Sequence, residues 1–229
     1  SALTRCGHQV RPEDLSILGG PNAAEVPPDR NMVLLVIGGG IAAYKALEIA
    51  RQLKQSGFDV IGIMTKSAQE FITPLSVATL TNQKCYDGLF STTDEADIEH
   101  IRLARAANLV LVAPATANLM ARVASGFADD LATTILLATT APIMMAPAMN
   151  PVMWTHSATR ANLAVLLSRK VEIIGPVDGD TACGEIGSGR MADPATITEA
   201  VYAKLLKQPQ SLAGKHAIIT AGPTIEPID

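Results

Sequence analysis

Three consecutive glycines, Gly38-Gly39-Gly40, are the first residues in the chain whose type and spacing could bind a ligand. They follow the apolar run 32–37 and precede Ile41-Ala42-Ala43, so small residues lie where a strand would turn into a helix. Glycine lets the backbone approach a ligand closely, and the N–H groups of a first helical turn can bind an anion. The segment predicts a phosphate-binding turn, and a plain tight turn is the structural alternative.

The residues after the next apolar segment, Thr65-Lys66-Ser67, bear on which cofactor that turn would hold. A site for NAD usually has Asp or Glu at the end of the second strand, where the carboxylate holds the ribose hydroxyls. Two hydroxyls and a cation suit a phosphate better than a ribose diol. The sequence therefore favours a mononucleotide such as FMN and disfavours an NAD-type reductase.

Two further side chains could act on a substrate. His100 lies near the start of a helix predicted over 94–107, where the positive helix end favours the neutral imidazole that a general base needs. Asn150 precedes Pro151 at a predicted strand–helix junction, as the N-cap of a helix predicted to run to Arg169 and to contain His156. The Asn150 amide could donate to a substrate carboxylate. The structural alternatives are a surface histidine and an ordinary helix N-cap.

The segment 178–191 has four glycines with Cys183 at its centre. This composition predicts a flexible loop that does not form a regular element. A cysteine in a polar loop is a candidate reactive thiol, and a glycine-hinged loop can close over a site. An ordinary surface loop is the alternative.

The elements that would position these residues alternate between strand and helix. This order predicts an α/β fold with a Rossmann-like or flavodoxin-like open parallel sheet and helices on both faces. Ligands bind such sheets at the carboxyl ends of the strands, where the glycine turn, 65–67, 114–118 and 147–150 all lie. The predicted strands are 32–37, 58–64, 109–113, 142–146 and 171–174.

Composition excludes several classes of protein. With 48% hydrophobic and 17% charged residues the chain can bury a core, so a largely disordered protein is excluded. A net charge of −4 and 3% aromatic residues argue against nucleic acid and an anionic membrane surface as partners. Three unpatterned cysteines favour the cytoplasm, and no spacing typical of a metal site occurs.

Five motifs together resemble the homo-oligomeric flavin-containing cysteine decarboxylases, and most of all the phosphopantothenoylcysteine decarboxylase domains of bacterial bifunctional coenzyme A enzymes. The resemblance covers about residues 32–207. One position departs from the family pattern, because Leu119 stands where the family's PASANT-type motif has a hydroxyl residue. The motifs are GGGIAAYK at 38–45, EHIRLARAANL at 99–109, PATAN at 114–118, PAMNPVMW at 147–154 and ACGEIGSGRM at 182–191.

The resemblance implies an FMN-dependent enzyme that converts phosphopantothenoylcysteine to phosphopantetheine and CO2. Oxidation of the thiol-bearing carbon to a thioaldehyde supplies the electron sink for loss of CO2, and reduction of the resulting enethiol makes the reaction redox-neutral. His100 would be the base, Asn150 would bind the substrate carboxylate, and Cys183 would donate the final proton. Thr181, Ala182 and Met191 would contact the substrate. The FMN pocket would comprise Gly39, Gly40, Ile41, Thr65, Ser67, Thr116, Ala117, Asn118 and Ala148.

The resemblance also implies partners and domain boundaries. Family members are trimers or assemblies of trimers, and the apolar segment 108–154, with five of the eight methionines, predicts a subunit interface, with ordinary core as the alternative. Residues 1–30 are expected to form a mobile tail and residues 31–207 the decarboxylase domain. Residues 208–229 would be a linker and the truncated start of a fused ligase domain, because 217–229 is similar to the first strand and loop of that domain.

Two other functions remain open for this type of fold. A flavin prenyltransferase is disfavoured by the segment around Cys183 and by the motif at 147–154. A flavin-binding regulatory subunit is disfavoured because it would have no chemical need for His100, Asn150 and Cys183 together.

Overall fold

The computed structural model describes residues 32–88, 96–180 and 186–206, and for residues 96–100, 180 and 186 it describes the backbone alone. The predicted tail over 1–30 and the predicted linker and ligase start over 208–229 lie outside the described residues. So do Thr181 and Ala182, which are expected to contact the substrate, and Cys183, which is expected to donate the final proton.

A five-stranded parallel sheet forms the centre of the fold. The order is β2-β1-β3-β4-β5, which is the flavodoxin-like order of a doubly wound sheet. Most of the residues in β1–β4 are buried, because helices cover both faces and leave no polar side to the sheet. The strands are β1 Met32–Ile37, β2 Asp59–Met64, β3 Leu109–Ala115, β4 Ile143–Pro147 and β5 Glu172–Ile173.

Eight α-helices lie on the two faces of this sheet among the described residues. Along β1 the side chains alternate, so that Leu35 packs into the core beneath α1 and α8 while Leu34 packs into the core beneath α4, α5 and α7. The predicted fold class is therefore confirmed. The helices are α1 Tyr44–Gln55, α2 Pro74–Thr81, α3 Ala96–Ala106, α4 Ala117–Ser125, α5 Leu131–Ala138, α6 Pro151–Thr155, α7 Ser157–Ser168 and α8 Pro194–Leu205.

Two predicted elements differ from the structure. The helix predicted from Asn150 to Arg169 is broken at His156, whose backbone is extended (φ −60°, ψ 138°) between α6 and α7. The His156 Nδ1 accepts a hydrogen bond from the Ala158 N–H at 3.2 Å and caps α7. His156 therefore lies at a helix junction and not within a helix.

The second difference concerns the segment predicted as an irregular loop. Residues Val177–Asp180 (β6) and Ile186–Arg190 (β7) pair as an antiparallel hairpin, so the prediction is wrong for 178–180 and 186–190. The glycines of β7 do not loosen the strand, because they allow it to pack tightly against the segment that follows β4. Among the described residues, no helix has both the length and the apolar character that crossing a bilayer requires.

Candidate functional site

A cleft of about 890 Å³ lies along the carboxyl edge of the sheet. The glycine turn, the segments after β3 and β4 and the end of β7 form its walls, as expected for a ligand site in a doubly wound sheet. The size is that of a small-molecule or cofactor site. Ten of the predicted site residues line it, namely Gly39, Gly40, Ile41, Ser67, Thr116, Ala117, Asn118, Ala148, Asn150 and Met191.

The glycine turn packs so closely on its neighbours that two of its positions have no room for a side chain. The Gly38 N–H donates to the Pro114 carbonyl at 3.1 Å, and a Cβ at Gly38 would lie 2.5 Å from that oxygen. A Cβ at Gly39 would overlap the Ser67 side chain and lie 2.7 Å from its carbonyl carbon. At Gly40 the nearest atom, Thr116 Cγ2, would be 3.9 Å away. The backbone can therefore come close to a ligand at this turn.

Thr65 and Ser67, which follow β2, differ in whether their hydroxyls face the cleft. The buried Thr65 hydroxyl donates to the Ile37 carbonyl at 3.1 Å and accepts from the Ala68 N–H at 3.3 Å, which caps a short 3-10 turn. Thr65 lines a smaller adjoining cavity of about 390 Å³ and does not line the main cleft. Ser67 lines both cavities, so it is the hydroxyl of this pair that faces the cleft.

The segment after β3 turns directly into α4, and the start of that helix lines the cleft. Thr116 is the N-cap, and its hydroxyl accepts from the Leu119 N–H at 3.2 Å. Ala117 and Asn118 occupy the first turn of the helix. The position of Leu119, which departs from the family pattern, is buried against the sheet.

Asn150 is a helix N-cap that also lines the cleft. Its side-chain Oδ1 accepts from the Val152 N–H at 2.8 Å and caps α6, with Pro151 at the first helical position. Asn150 also lines the cleft. Farther along α6, the Trp154 side chain is buried and the Arg160 guanidinium lies 4.7 Å from the centre of its ring.

The hairpin is attached to the segment that carries Asn150. The Met149 N–H donates to the Gly189 carbonyl at 3.0 Å, and a Cβ at Gly189 would overlap the Met149 carbonyl oxygen and lie 3.1 Å from the Pro151 nitrogen. This contact brings Arg190 and the buried Met191 to the cleft.

Sequence reasoning missed three charged residues of the cleft, Lys45, Arg190 and Asp193. The Lys45 ammonium donates to the Met191 carbonyl at 3.4 Å and to Asp193 Oδ1 at 3.3 Å, and an Arg190 N–H donates to the same Oδ1 at 3.0 Å. Hydrogen bonds from Arg190 and Lys45 hold the pKa of the Asp193 carboxyl below its usual value. Lys45 follows the glycine turn by five residues, and Arg190 follows Gly189, so both were next to residues already singled out.

The predicted base lies on a described helix, but its side chain does not belong to the described part of the chain. Because α3 begins at Ala96, His100 is the fifth residue of that helix, which agrees with the predicted position near a helix start. The role of His100 stays a prediction, as do the roles of Thr181, Ala182 and Cys183.

The lining of the cleft fits a flavin mononucleotide. The closely packed glycine turn and the hydroxyls of Ser67 and Thr116 offer neutral donors to a phosphate. The side chains of Ile41, Ala148 and Met149 offer apolar surface to a planar ring system.

The fold and this site define a flavoprotein. The Flavoprotein family model matches residues 23–206, and the chain belongs to that family.

Curated relatives identify the branch of the family. The chain is 48% identical over 197 residues to the coenzyme A biosynthesis bifunctional protein CoaBC of Escherichia coli K12, and 47% identical over 197 residues to that of Vibrio vulnificus YJ016. These alignments cover 86% of this chain but only 48% and 49% of the relatives. The chain thus spans about half the length of the curated relatives it matches.

One similar solved structure is matched over almost its full length. It is a cysteine-to-serine mutant of a PPC decarboxylase complexed with pantothenoylaminoethenethiol, which is 30% identical with a TM-score of 0.65. The alignment covers 75% of this chain and 96% of that one.

Proposed function

We propose that this chain is an FMN-dependent decarboxylase that converts 4′-phospho-N-pantothenoylcysteine to 4′-phosphopantetheine and CO2. The observation that carries the proposal is the meeting of the glycine turn, Asn150 and the β6–β7 hairpin in one cleft. The close relatives named for coenzyme A biosynthesis and the similar PPC decarboxylase structure support the choice of substrate.

The cofactor would be held by neutral groups. The phosphate would bind the turn at Gly39 and Gly40 together with Ser67, and the ring would lie against Ile41 and Ala148. FMN supplies reversible hydride transfer, which allows the thiol-bearing carbon of the substrate to be oxidised and later reduced. The other FMN contacts would be Thr116, Ala117 and Asn118. The Thr65 hydroxyl is hydrogen-bonded to the Ser67 hydroxyl at 3.3 Å and would act on FMN through Ser67.

The chain's own residues bind the substrate and move its protons. His100 removes the thiol proton. The Asn150 side-chain amide donates an N–H hydrogen bond to the carboxylate that leaves as CO2. Cys183 then returns a proton to carbon when the enethiol is reduced, which closes the proton balance of the reaction. Thr181, Ala182 and Met191 contact the substrate next to Cys183.

A cysteine variant tests this assignment. Cys183→Ser should still release CO2, but its product should be the enethiol, lighter than phosphopantetheine by two hydrogens, because no thiol donates the last proton. Mass spectrometry of the product distinguishes the two compounds. Phosphopantetheine made at the normal rate would overturn the proton-donor role.

Cys85 provides the matched control for that experiment. Partial burial, reinforced by the charge of Asp87, raises the pKa of the Cys85 thiol to about 12, so this thiol is poorly suited to donate a proton at neutral pH. Cys85→Ser should yield phosphopantetheine as the parent does.

The active form would be a homo-oligomer, a trimer or an assembly of trimers. Large apolar side chains are exposed on α5, α6 and α7 and in the loop between α4 and α5, and burying them in a subunit contact would remove them from water. Of the five methionines in the segment 108–154, however, Met120, Met144 and Met145 belong to the ordinary core. Light scattering should give a multimer mass, and a monomer would refute this part of the proposal. The exposed side chains are Phe127, Leu137, Val152, Met153 and Leu167.

The catalytic domain would be residues 31–207, following a mobile tail over 1–30, in a protein of the cytoplasm. Residues 208–229 would be a linker and the start of a fused ligase domain, in line with the greater length of the curated relatives. The decarboxylation proposed here requires only the first of these domains.

A further inference from the structure

Three charged side chains, Lys45, Arg190 and Asp193, are the only ones among the described residues that line the cleft. Lys45 Nζ and an Arg190 N–H group bind the same oxygen, Asp193 Oδ1, at 3.3 and 3.0 Å. The two cations are therefore side by side. Two positive charges against one negative charge leave an excess of +1 at this point of a chain whose net charge is −4.

Burial differs across this charged group. The Lys45 side chain is only 14% exposed, whereas the Asp193 and Arg190 side chains are 60% and 43% exposed. One cation would be enough to neutralise the carboxylate, and an exposed pair of this kind contributes little to stability. The second cation is therefore available for an incoming anion.

A second cavity adjoins the first at Lys45. It has a volume of about 600 Å³, and Tyr44 and Lys45 line both cavities. A ligand that reaches the end of the main cleft on the side of the second cavity would therefore come close to Lys45. The remaining lining residues are Leu47, Glu48, Arg51, Leu80 and Pro194.

We infer that Lys45 and Arg190 form a subsite for the terminal phosphate of the substrate and select phosphorylated over unphosphorylated pantothenoylcysteine. This inference rests on the proposed function. That substrate has an anion at each end, and the carboxylate is assigned to Asn150. A phosphate monoester at the other end matches a guanidinium and an ammonium, which both donate charge-assisted hydrogen bonds to phosphate oxygens.

The selectivity of the FMN-loaded full chain tests the subsite. The quantity to measure is the ratio of kcat/KM for the phosphorylated substrate to kcat/KM for the unphosphorylated substrate. Lys45→Met and Arg190→Gln should each lower this ratio at least about tenfold, the effect of losing a hydrogen bond to a charged group. Lys54→Met removes the same charge from α1 at a position that lines neither cavity, so its ratio should equal that of the parent.

The ratio separates phosphate binding from positioning. Lys45 also donates to the Met191 carbonyl, so replacing Lys45 should lower kcat/KM for both substrates. That shared effect cancels in the ratio. An unchanged ratio in both variants would overturn the inference. Loss of bound flavin from Lys45→Met with an unchanged ratio would overturn it too, because the cations would then hold the cofactor.

Calorimetry with pantothenate and 4′-phosphopantothenate provides a readout that needs no turnover. The parent should bind the phosphorylated compound more tightly, and Lys45→Met should lose that preference. Equal binding of both compounds by the parent would overturn the phosphate subsite. A parent that keeps the preference but does not decarboxylate would refute the proposed function and leave the phosphate subsite standing.

Discussion

Neighbouring glycines of the binding turn differ in how much room surrounds them. A Cβ at Gly39 would press on the backbone of Ser67 at 2.7 Å, whereas a Cβ at Gly40 would meet nothing closer than 3.9 Å. The Gly40 φ angle of 171° is extended backbone that alanine adopts without strain. The two positions therefore form a natural comparison.

Gly39→Ala should destabilise the protein by about 1–3 kcal/mol, because the added methyl group forces the turn away from the β2 loop. Gly40→Ala should change the free energy of unfolding by no more than about 0.5 kcal/mol. Denaturant unfolding of both variants measures the difference. Equal stability of the two variants would contradict the packing described for this turn.

At Asn150 the helix cap and the proposed binding of the substrate carboxylate can be tested separately. Aspartate caps helices as well as asparagine does, so Asn150→Asp should keep the acceptor for the Val152 N–H and fold normally. Its charge would oppose the substrate carboxylate, and KM should rise about tenfold or more. Steady-state kinetics tests the change in KM, and the far-UV and near-UV spectra check the fold. An unchanged KM would rule out the assignment of the carboxylate to Asn150.

Between α4 and α5, one carboxylate joins two elements. Asp130 accepts from the Thr133 N–H at 2.8 Å at the start of α5 and from Arg122 of α4 at 2.6 Å. Partial burial opposes ionisation of Asp130, but the hydrogen bonds from Thr133 and Arg122 outweigh it and lower the pKa of the carboxyl.

Asp130→Ala should cost about 1–2 kcal/mol at neutral pH through loss of the cap. Because the pKa is lower in the folded state, the stabilisation is present above the unfolded value near about 4 and is lost as pH falls through the folded value. The gap between Asp130→Ala and the parent should therefore close in acid. Asp129→Ala, which removes a more exposed partner of Arg122, is the control and should have a small effect. A gap that stays constant down to pH 2 would contradict this account.

The β6–β7 hairpin positions one wall of the cleft through Gly189. Gly189→Ala should displace β7 from Met149 and raise KM more than it lowers kcat, because Met191, two residues farther along the chain, lines the cleft. Gly187→Ala meets only the Pro151 ring, at 3.0–3.2 Å, and should have a smaller effect. Kinetic constants for the two variants test this order, and the reverse order would show that the contact at Gly189 does not position the site.

The hairpin and the helix break at His156 could not be read from local sequence. Residues 177–190 lack the alternation of apolar and polar side chains that marks a strand, and β7 is stabilised by packing on residues 149–151, far away in sequence. At His156 neither glycine nor proline interrupts the pattern, and the break depends on a side-chain cap. By contrast, the strands of the sheet were predictable because burial on both faces makes them continuous apolar runs.

For the molecule as a whole, topology explains why much of the site was predictable. Residues that follow successive parallel strands must meet at one edge, so the glycine turn, Thr116 and Asn150 could be grouped without a structure. The group of Lys45 and Asp193 could not, because 148 positions separate them and only the packing of α8 on α1 brings them together. Charged pairs of this kind carry no periodic signal.

We propose that the chain binds FMN and uses it to decarboxylate phosphopantothenoylcysteine. The most direct measurement is the visible absorption spectrum of the purified protein, followed by addition of that substrate and quantification of CO2 and phosphopantetheine. An FMN-dependent decarboxylase should show oxidised-flavin absorption and release equal amounts of the two products. Bound flavin without product would instead indicate a prenyltransferase or a regulatory subunit. A colourless protein that takes up no added FMN would contradict both the cofactor and the reaction proposed for this chain.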